Sequence, residues 1–227
     1  MAWKRSTVRS RYGPPQSSGM YLGVLCYALR DMKYKIVLFD ADGVLIKPRP
    51  RFSECLQTEY GIPSEALQPF FQGVFRDCSV GKADLKEELA KATPGWGWTG
   101  TVDELVRFWL TAGTQTDEDV VQFIRALRAD GVRTYMTTDQ EQYRGEYLRD
   151  TFGNGVLFDE VFFSAAIGCK KCDPHFFETV YRAMNDVPRN QILFVDDAEE
   201  NVEVAKRFGF DAHLFTTLNG LLQFLSE

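Results

Sequence analysis

Ten consecutive residues, Ile36-Val37-Leu38-Phe39-Asp40-Ala41-Asp42-Gly43-Val44-Leu45, constrain this chain more than any other stretch. An apolar run of β-branched and aromatic residues reads as a buried parallel strand, and it ends abruptly in two carboxylates one residue apart, followed by glycine. Side chains alternate faces along a strand, so Asp40 and Asp42 can share a direction only at or just past its carboxyl end. That end is where open α/β sheets bind ligands. Two acids held there repel one another. A solvated loop tolerates the repulsion unaided, whereas a built site needs a cation to hold them together.

Gln191-Ile192-Leu193-Phe194-Val195-Asp196-Asp197 repeats this grammar, and helix-start residues Ala198-Glu199-Glu200-Asn201 follow at once. Side by side, the two strands would bring Asp40, Asp42, Asp196 and Asp197 to one sheet edge, an oxygen-rich set of the kind Mg²⁺ selects. In these residues the chain resembles the haloacid dehalogenase superfamily, whose phosphatase members carry a D-x-D-G first motif and an acidic fourth motif. The resemblance covers residues 32 to 227. It implies an α/β fold, a Rossmann-like doubly wound parallel sheet core with an inserted small α-helical cap domain.

The 227 residues, 44% hydrophobic, suffice for one such core and a small second unit. A net charge of −6 argues against nucleic acid and anionic membranes as partners. Five cysteines, an odd and scattered set, make no disulfide framework and point to a reducing, cytoplasmic compartment. The first 31 residues stand apart, with five basic side chains and one acid, so the remainder carries −10. Gly13 to Gly19 is linker material, and the apolar stretch Met20 to Leu29 is too short to span a bilayer. A cleaved targeting segment and a disordered tail are two readings of this extension. A third, preferred here, is that Met32 is the natural start, because Met32-Lys33-Tyr34-Lys35 leads straight into the first strand.

Between Ile46 and Gln115 the pattern is helical. Phe52 to Tyr60, Ser64 to Phe75, Lys82 to Lys91 and Val102 to Leu110 show helical spacing of apolar positions, giving a helical unit over 47–115 between the two parts of the core, 32–46 and 116–227. Four helices inserted after the first strand make a lid, hinged at Ile46 to Pro50 and Thr111 to Thr116. Gly95-Trp96-Gly97-Trp98-Thr99-Gly100 matches G-x-G-x-x-G by letter only, because helical residues rather than a strand precede it. Trp96 and Trp98 read as packing residues of the helical unit. Of Phe71, Phe75, Arg76, Lys82, Trp96 and Trp98, the sequence does not say which touch a leaving group.

After this unit, helix and strand alternate. A helix over Asp117 to Ala129 leads into a strand over Val132 to Met136, which ends in Thr137-Thr138-Asp139-Gln140 before a helix from Glu141 to Asp150. Hydroxyls and amides between a strand end and a helix N-terminus make a phosphate cradle. A strand over Leu157 to Phe163 precedes Cys169-Lys170-Lys171-Cys172-Asp173-Pro174 and a helix to Met184. Phe208 to Phe215 closes the sheet and Leu218 to Leu225 packs on it. Cys169-x-x-Cys172 lacks a second cysteine pair for zinc, since Cys26, Cys55 and Cys78 are not at ligand spacing, and reads as incidental or redox-sensitive. His175 and His213 read as helix-start and strand residues rather than ligands.

The resemblance extends to the second and third motifs. Thr138 is similar to the hydroxyl that holds a phosphoryl oxygen, with Asp139 where the family usually has Asn. Asp173-Pro174 sets the register that makes Lys171 the family's lysine, with Cys172 where proline is usual and Lys170 as fallback. An acid at 139 repels phosphate, so three outcomes are open: it turns away, offers only its N–H, or slows the chemistry. The resemblance implies a subfamily with the helical cap between the first two motifs. It further implies Asp40 as nucleophile, Asp42 as acid–base and Mg²⁺ held by Asp40, the Asp42 carbonyl and Asp197 with Asp196 in support. Gly43, Thr138, Asp139 and Lys171 would meet the phosphate. The expected substrate is a small phosphorylated metabolite such as a sugar phosphate, acted on by a monomer or homodimer with neither nucleic acid nor membrane as partner. The dehalogenase branch lacks the second acid, so Asp42 favours ester hydrolysis. A phosphosugar mutase of the β-phosphoglucomutase type would share these residues. A catalytically impaired binding protein would be expected to have lost Asp40, Asp42 or Lys171, and none is lost.

Overall fold

The computed structural model describes residues 32–47, 52–111, 115–184 and 187–226, so the expectations for residues 1–31, and for parts of both hinges (48–50 and 112–114), lie outside the described residues. Five strands, β1 (Ile36–Phe39), β2 (Arg133–Thr138), β3 (Glu160–Phe163), β4 (Ile192–Asp196) and β5 (Asp211–Leu214), pair in the order β3-β2-β1-β4-β5. Every pairing is parallel. The strand order reverses at β1, so the ligand crevice of such a sheet falls at the carboxyl ends of β1 and β4. Those are the two strands that run into the aspartate pairs, aligned Ile36 to Ile192 and Phe39 to Val195.

Alternation along β1 feeds both faces of the sheet. Val37 and Phe39 enter a core with Val120, Phe123, Ile124 and Leu127 of α6 (Glu118–Ala129), Leu148 of α7 (Gln142–Phe152) and Leu221 and Leu222 of α11 (Leu218–Ser226). Ile36 and Leu38 enter another with Phe176, Phe177 and Val180 of α9 (Pro174–Met184), which follows the single turn α8 (Ser164–Ile167), and with Val202, Val204 and Ala205 of α10 (Glu199–Phe208). Burial on both faces is why the strand reads as a continuous apolar run rather than an alternating one.

A third core belongs to the helices of the insert: α1 (Phe52–Tyr60), α2 (Ser64–Gln72), α3 (Phe75–Cys78), α4 (Leu85–Trp96) and α5 (Val102–Thr111). These are five helices among the described residues where the spacing predicts four. The segment over Ser64 to Phe75 breaks after Gln72, where Gly73 closes α2 with its N–H on the Pro69 carbonyl, and the chain re-enters helix at Phe75. The helix expected over Lys82 to Lys91 lies further on, because the Asp84 carboxylate accepts the Glu87 N–H and so fixes the start at Leu85. Trp96 is buried edge-on against Phe70, and the indole N–H of Trp98 donates to the Thr101 carbonyl (3.1 Å), so both tryptophans pack within the insert. The glycine-rich segment begins inside α4, so a helix and not a strand leads into it.

Two strands are shorter than their apolar runs. Leu157 and Phe158 are buried, but the Leu157 carbonyl accepts the Thr134 hydroxyl instead of a ladder N–H, and pairing starts at Glu160. Phe208 ends α10, so β5 begins only at Asp211. The connectors to the insert run alongside each other: Lys47 N–H donates to the Gln115 carbonyl and Asp117 N–H to that of Leu45. None of the described helices is long and apolar enough to cross a membrane.

Candidate active site

Asp40 continues β1 by one residue, its N–H donating to the Val195 carbonyl of β4 (2.9 Å). Its carboxylate accepts the Ala41 N–H (2.7 Å) and lies 2.7 Å from the Lys171 ammonium. The same ammonium is 2.6 Å from Asp196 Oδ2. Asp196 is fully buried and further satisfied by the Ala198 N–H (2.8 Å) and the Asn201 amide (3.2 and 3.3 Å). Asp197 is exposed and makes no ion pair among the described residues, yet one oxygen each of Asp40, Asp196 and Asp197 lie within 4.8 Å of one another. Gly43 belongs to this arrangement. It has φ +84°, and a Cβ there would fall 2.0 Å from Asp197 Oδ2.

The other expected site residues are placed as follows. Thr138 is buried at the end of β2, its hydroxyl accepting from Gln140 Nε2 (3.2 Å). Asp139 turns to the neighbouring loop, where it accepts the Lys171 N–H (3.0 Å). Its carboxylate thereby anchors the lysine loop. Lys171, not Lys170, enters the cluster, as the Asp-Pro register requires. Cys169 and Cys172 are both free thiols, and among the described residues the metal-competent group contains no cysteine or histidine. His175 lies in the first turn of α9, and the ring of His213 in β5 is tilted at 39° against Phe224.

The carboxylate of Asp42 does not join the other three. It accepts from Arg144 Nη2 (2.5 Å) and Gln140 Nε2 (2.7 Å), at the start of α7. Gln140, Arg144 and Asn201 are the polar neighbours that sequence reasoning missed. Gln140 precedes the extended N-cap Glu141 and Arg144 lies in the first turn of α7, so helical periodicity does not pair them in the sequence.

Charge explains what this site can hold. Lys171 is a single cation facing Asp40, Asp196 and Asp139, with Asp197 alongside. Burial pushes the Asp40 carboxyl up to about 7, against the opposing pull of Lys171 and with Asp196 adding to the rise. Burial would lower Lys171, but the carboxylates of Asp40 and Asp196 outweigh it and hold the ammonium above its ordinary range. Desolvation also raises Asp197, reinforced by Asp196. The donor set is all oxygen and over-supplied with negative charge, which fits a hard divalent cation.

A folded-state value raised above the unfolded one gives stability that is full below the unfolded carboxylate range and lost as pH rises through about 7. Metal-free protein is therefore expected to lose thermal stability between pH 5 and 8, relative to Asp40→Asn, and Mg²⁺ to raise the melting temperature more at pH 8 than at pH 5. Melts at both pH values, with and without chelator, check this. An equal or larger Mg²⁺ shift at pH 5 counts against it.

A parallel sheet whose central strands end in clustered aspartates, with a buried lysine between them and a helical insert after the first, defines a class of hydrolase. The model of the haloacid dehalogenase-like hydrolase family matches residues 34–209, and the chain belongs to that family. It is 33% identical over 181 residues to a sesquiterpene phosphatase of Aspergillus oryzae, covering 78% of this chain and 87% of that protein. It is 22% identical over 191 residues to a D-ribitol-5-phosphate phosphatase of Bacteroides thetaiotaomicron (78% and 89%). The fold matches a HAD family enzyme of Bacteroides thetaiotaomicron solved with magnesium and inorganic phosphate, with TM-score 0.69 at 19% identity, covering 83% of this chain and 98% of that one.

Proposed function

We propose that the chain is a Mg²⁺-dependent phosphatase that hydrolyses a small phosphorylated metabolite through an aspartyl-phosphate intermediate. The observation that carries this reading is the Lys171 ammonium held between Asp40 and Asp196, with Asp197 completing a cluster of oxygen ligands. Asp40 attacks phosphorus and the ester P–O bond breaks, with Asp42 giving a proton to the departing oxygen. Water then attacks phosphorus, Asp42 takes back a proton, and inorganic phosphate leaves as Asp40 is regenerated. Thr138, Lys171 and backbone N–H groups of the loops at Gly43 and Asp139 hold the phosphoryl oxygens. Asp40, the Asp42 carbonyl and Asp197 would hold Mg²⁺, which supplies positive charge against the phosphate. Asp196 supports from behind, since its oxygens are already taken by Lys171, Ala198 and Asn201.

Residues 47–115 form the cap in this reading, and 32–46 with 116–227 the core. The cap rests on the core through Tyr143, whose hydroxyl donates to Asp84 (2.7 Å), and Ser164, whose hydroxyl donates to the Ser79 carbonyl (2.6 Å). Closure would exclude water from the phosphoenzyme. Free thiols at Cys78, Cys169 and Cys172 support a reducing, cytoplasmic setting.

A sugar phosphate is one substrate reading, and the ribitol-phosphate relative supports it. The insert favours a second, the monophosphate ester of an apolar alcohol. Phe52, Phe71, Phe75 and Trp109 form a part-buried aromatic group, with Phe52 stacked on Trp109 at 4.5 Å, and the more similar relative is named for a sesquiterpene. A screen of sugar, polyol and isoprenoid monophosphates with Mg²⁺ decides between them. Inorganic phosphate release that stops on chelation is the expected result, whereas turnover in chelator would remove the metal from the reading and an isomerised sugar phosphate would mark a mutase.

A further inference from the structure

Both oxygens of Asp42 are engaged by one short stretch of chain. Arg144 Nη2 takes Oδ1 at 2.5 Å and Gln140 Nε2 takes Oδ2 at 2.7 Å. The two sides of this contact differ in setting: the Asp42 side chain is 51% exposed and that of Arg144 only 12%. A half-exposed aspartate gripped by a mostly buried guanidinium is not a surface ion pair of two mobile side chains. Its geometry is set from the protein side.

That side is itself fixed. The backbone N–H groups of Tyr143 and Arg144 donate to the Glu141 carboxylate (2.8 and 2.7 Å), which caps α7. Gly145 brings the helix against β3, where a Cβ would lie 2.3 Å from the Phe163 ring. Gln140 Nε2 also reaches the Thr138 hydroxyl (3.2 Å), so the group that orients Asp42 touches the candidate phosphate-binding threonine as well.

We infer that Arg144 and Gln140 are positioning residues for Asp42: they fix the carboxylate that exchanges a proton with the leaving-group oxygen. The inference rests on the proposed acid–base role of Asp42. Arg144 acts through Asp42 and does not bind the transferred phosphoryl group. A general acid contributes most when the leaving group is a poor one, so loss of its positioning falls unevenly on substrates.

The test compares kcat/KM for an alkyl phosphate, whose alkoxide needs a proton to leave, with that for p-nitrophenyl phosphate, whose phenolate does not. Arg144→Ala is expected to lower the alkyl value by roughly 10-fold or more while changing the aryl value less than about 3-fold. Gln140→Ala should act in the same direction, and Arg144→Lys should recover part of the loss. Inhibition by inorganic phosphate should stay within about 2-fold of wild type. Arg144→Lys also serves if the alanine variant fails to fold. Equal losses on both substrates, or weakened inhibition by inorganic phosphate, would overturn the inference. Asp42→Asn is the reference: if it too spares neither substrate preferentially, the acid role of Asp42 fails and the inference with it. If Asp42→Asn discriminates and the Arg144 variants do not, only the positioning claim falls.

Discussion

Asp40→Asn is expected to lower turnover of any phosphate monoester by roughly 10³-fold or more while leaving the folded protein intact. The amide is isosteric with the carboxylate and keeps an oxygen for the Ala41 N–H. Lys171 loses one partner at 2.7 Å but retains Asp196 at 2.6 Å, so no buried charge is left alone. Removing one buried acid also removes its desolvation penalty and its repulsion with Asp196, the effects that raise the Asp40 carboxyl to about 7 against the pull of Lys171. Metal-free Asp40→Asn should therefore melt no lower than metal-free wild type at pH 8. Phosphate release measured beside thermal melts separates chemistry from folding. Undiminished activity would exclude Asp40 as the nucleophile, and a collapsed melting temperature would show that the residue is structural.

The centre of this site was legible because strand physics and chemistry coincide there. β1 and β4 are buried on both faces, so each is a pure apolar run, and each ends where the run gives way to acid. The sheet sets β4 beside β1, and with it comes the meeting of Asp40 with Asp196 and Asp197. Lys171 was reachable through the family resemblance, whose Asp-Pro pair Asp173 and Pro174 match. The partners of Asp42 were not, since Gln140 and Arg144 lie 98 and 102 residues away, and nothing local links an exposed acid to a particular helix start. Asp139 was ambiguous for a related reason. An acid after Thr138 repels a phosphate, and only the placement of the Lys171 loop shows that its carboxylate has another N–H to accept. Element ends failed where side chains compete with the backbone, as with Thr134 taking the Leu157 carbonyl and Asp84 resetting the start of α4.

Lys171→Met should do the reverse of Asp40→Asn to stability. The lysine is 2% exposed, and its ammonium answers Asp40 and Asp196 at once while its N–H is held by Asp139. Methionine matches its length and fills its space, so packing changes little. What changes is charge: two carboxylates, both buried, lose their shared cation. Breaking one side of a buried pair costs about 3–5 kcal/mol, which for a chain of this size lowers the melting temperature by roughly 6–20 °C. The loss should be partly restored by Mg²⁺, since a cation bound by Asp40 and Asp197 answers some of the same charge, and it should shrink as pH falls and Asp40 takes a proton. Introduced into the Asp40→Asn background, the same substitution should cost less than in wild type, because only Asp196 is then left unanswered. Equal costs in the two backgrounds would show that Lys171 does not neutralise Asp40, and the charge balance on which the proposed metal site and the proposed nucleophile both depend would have to be abandoned.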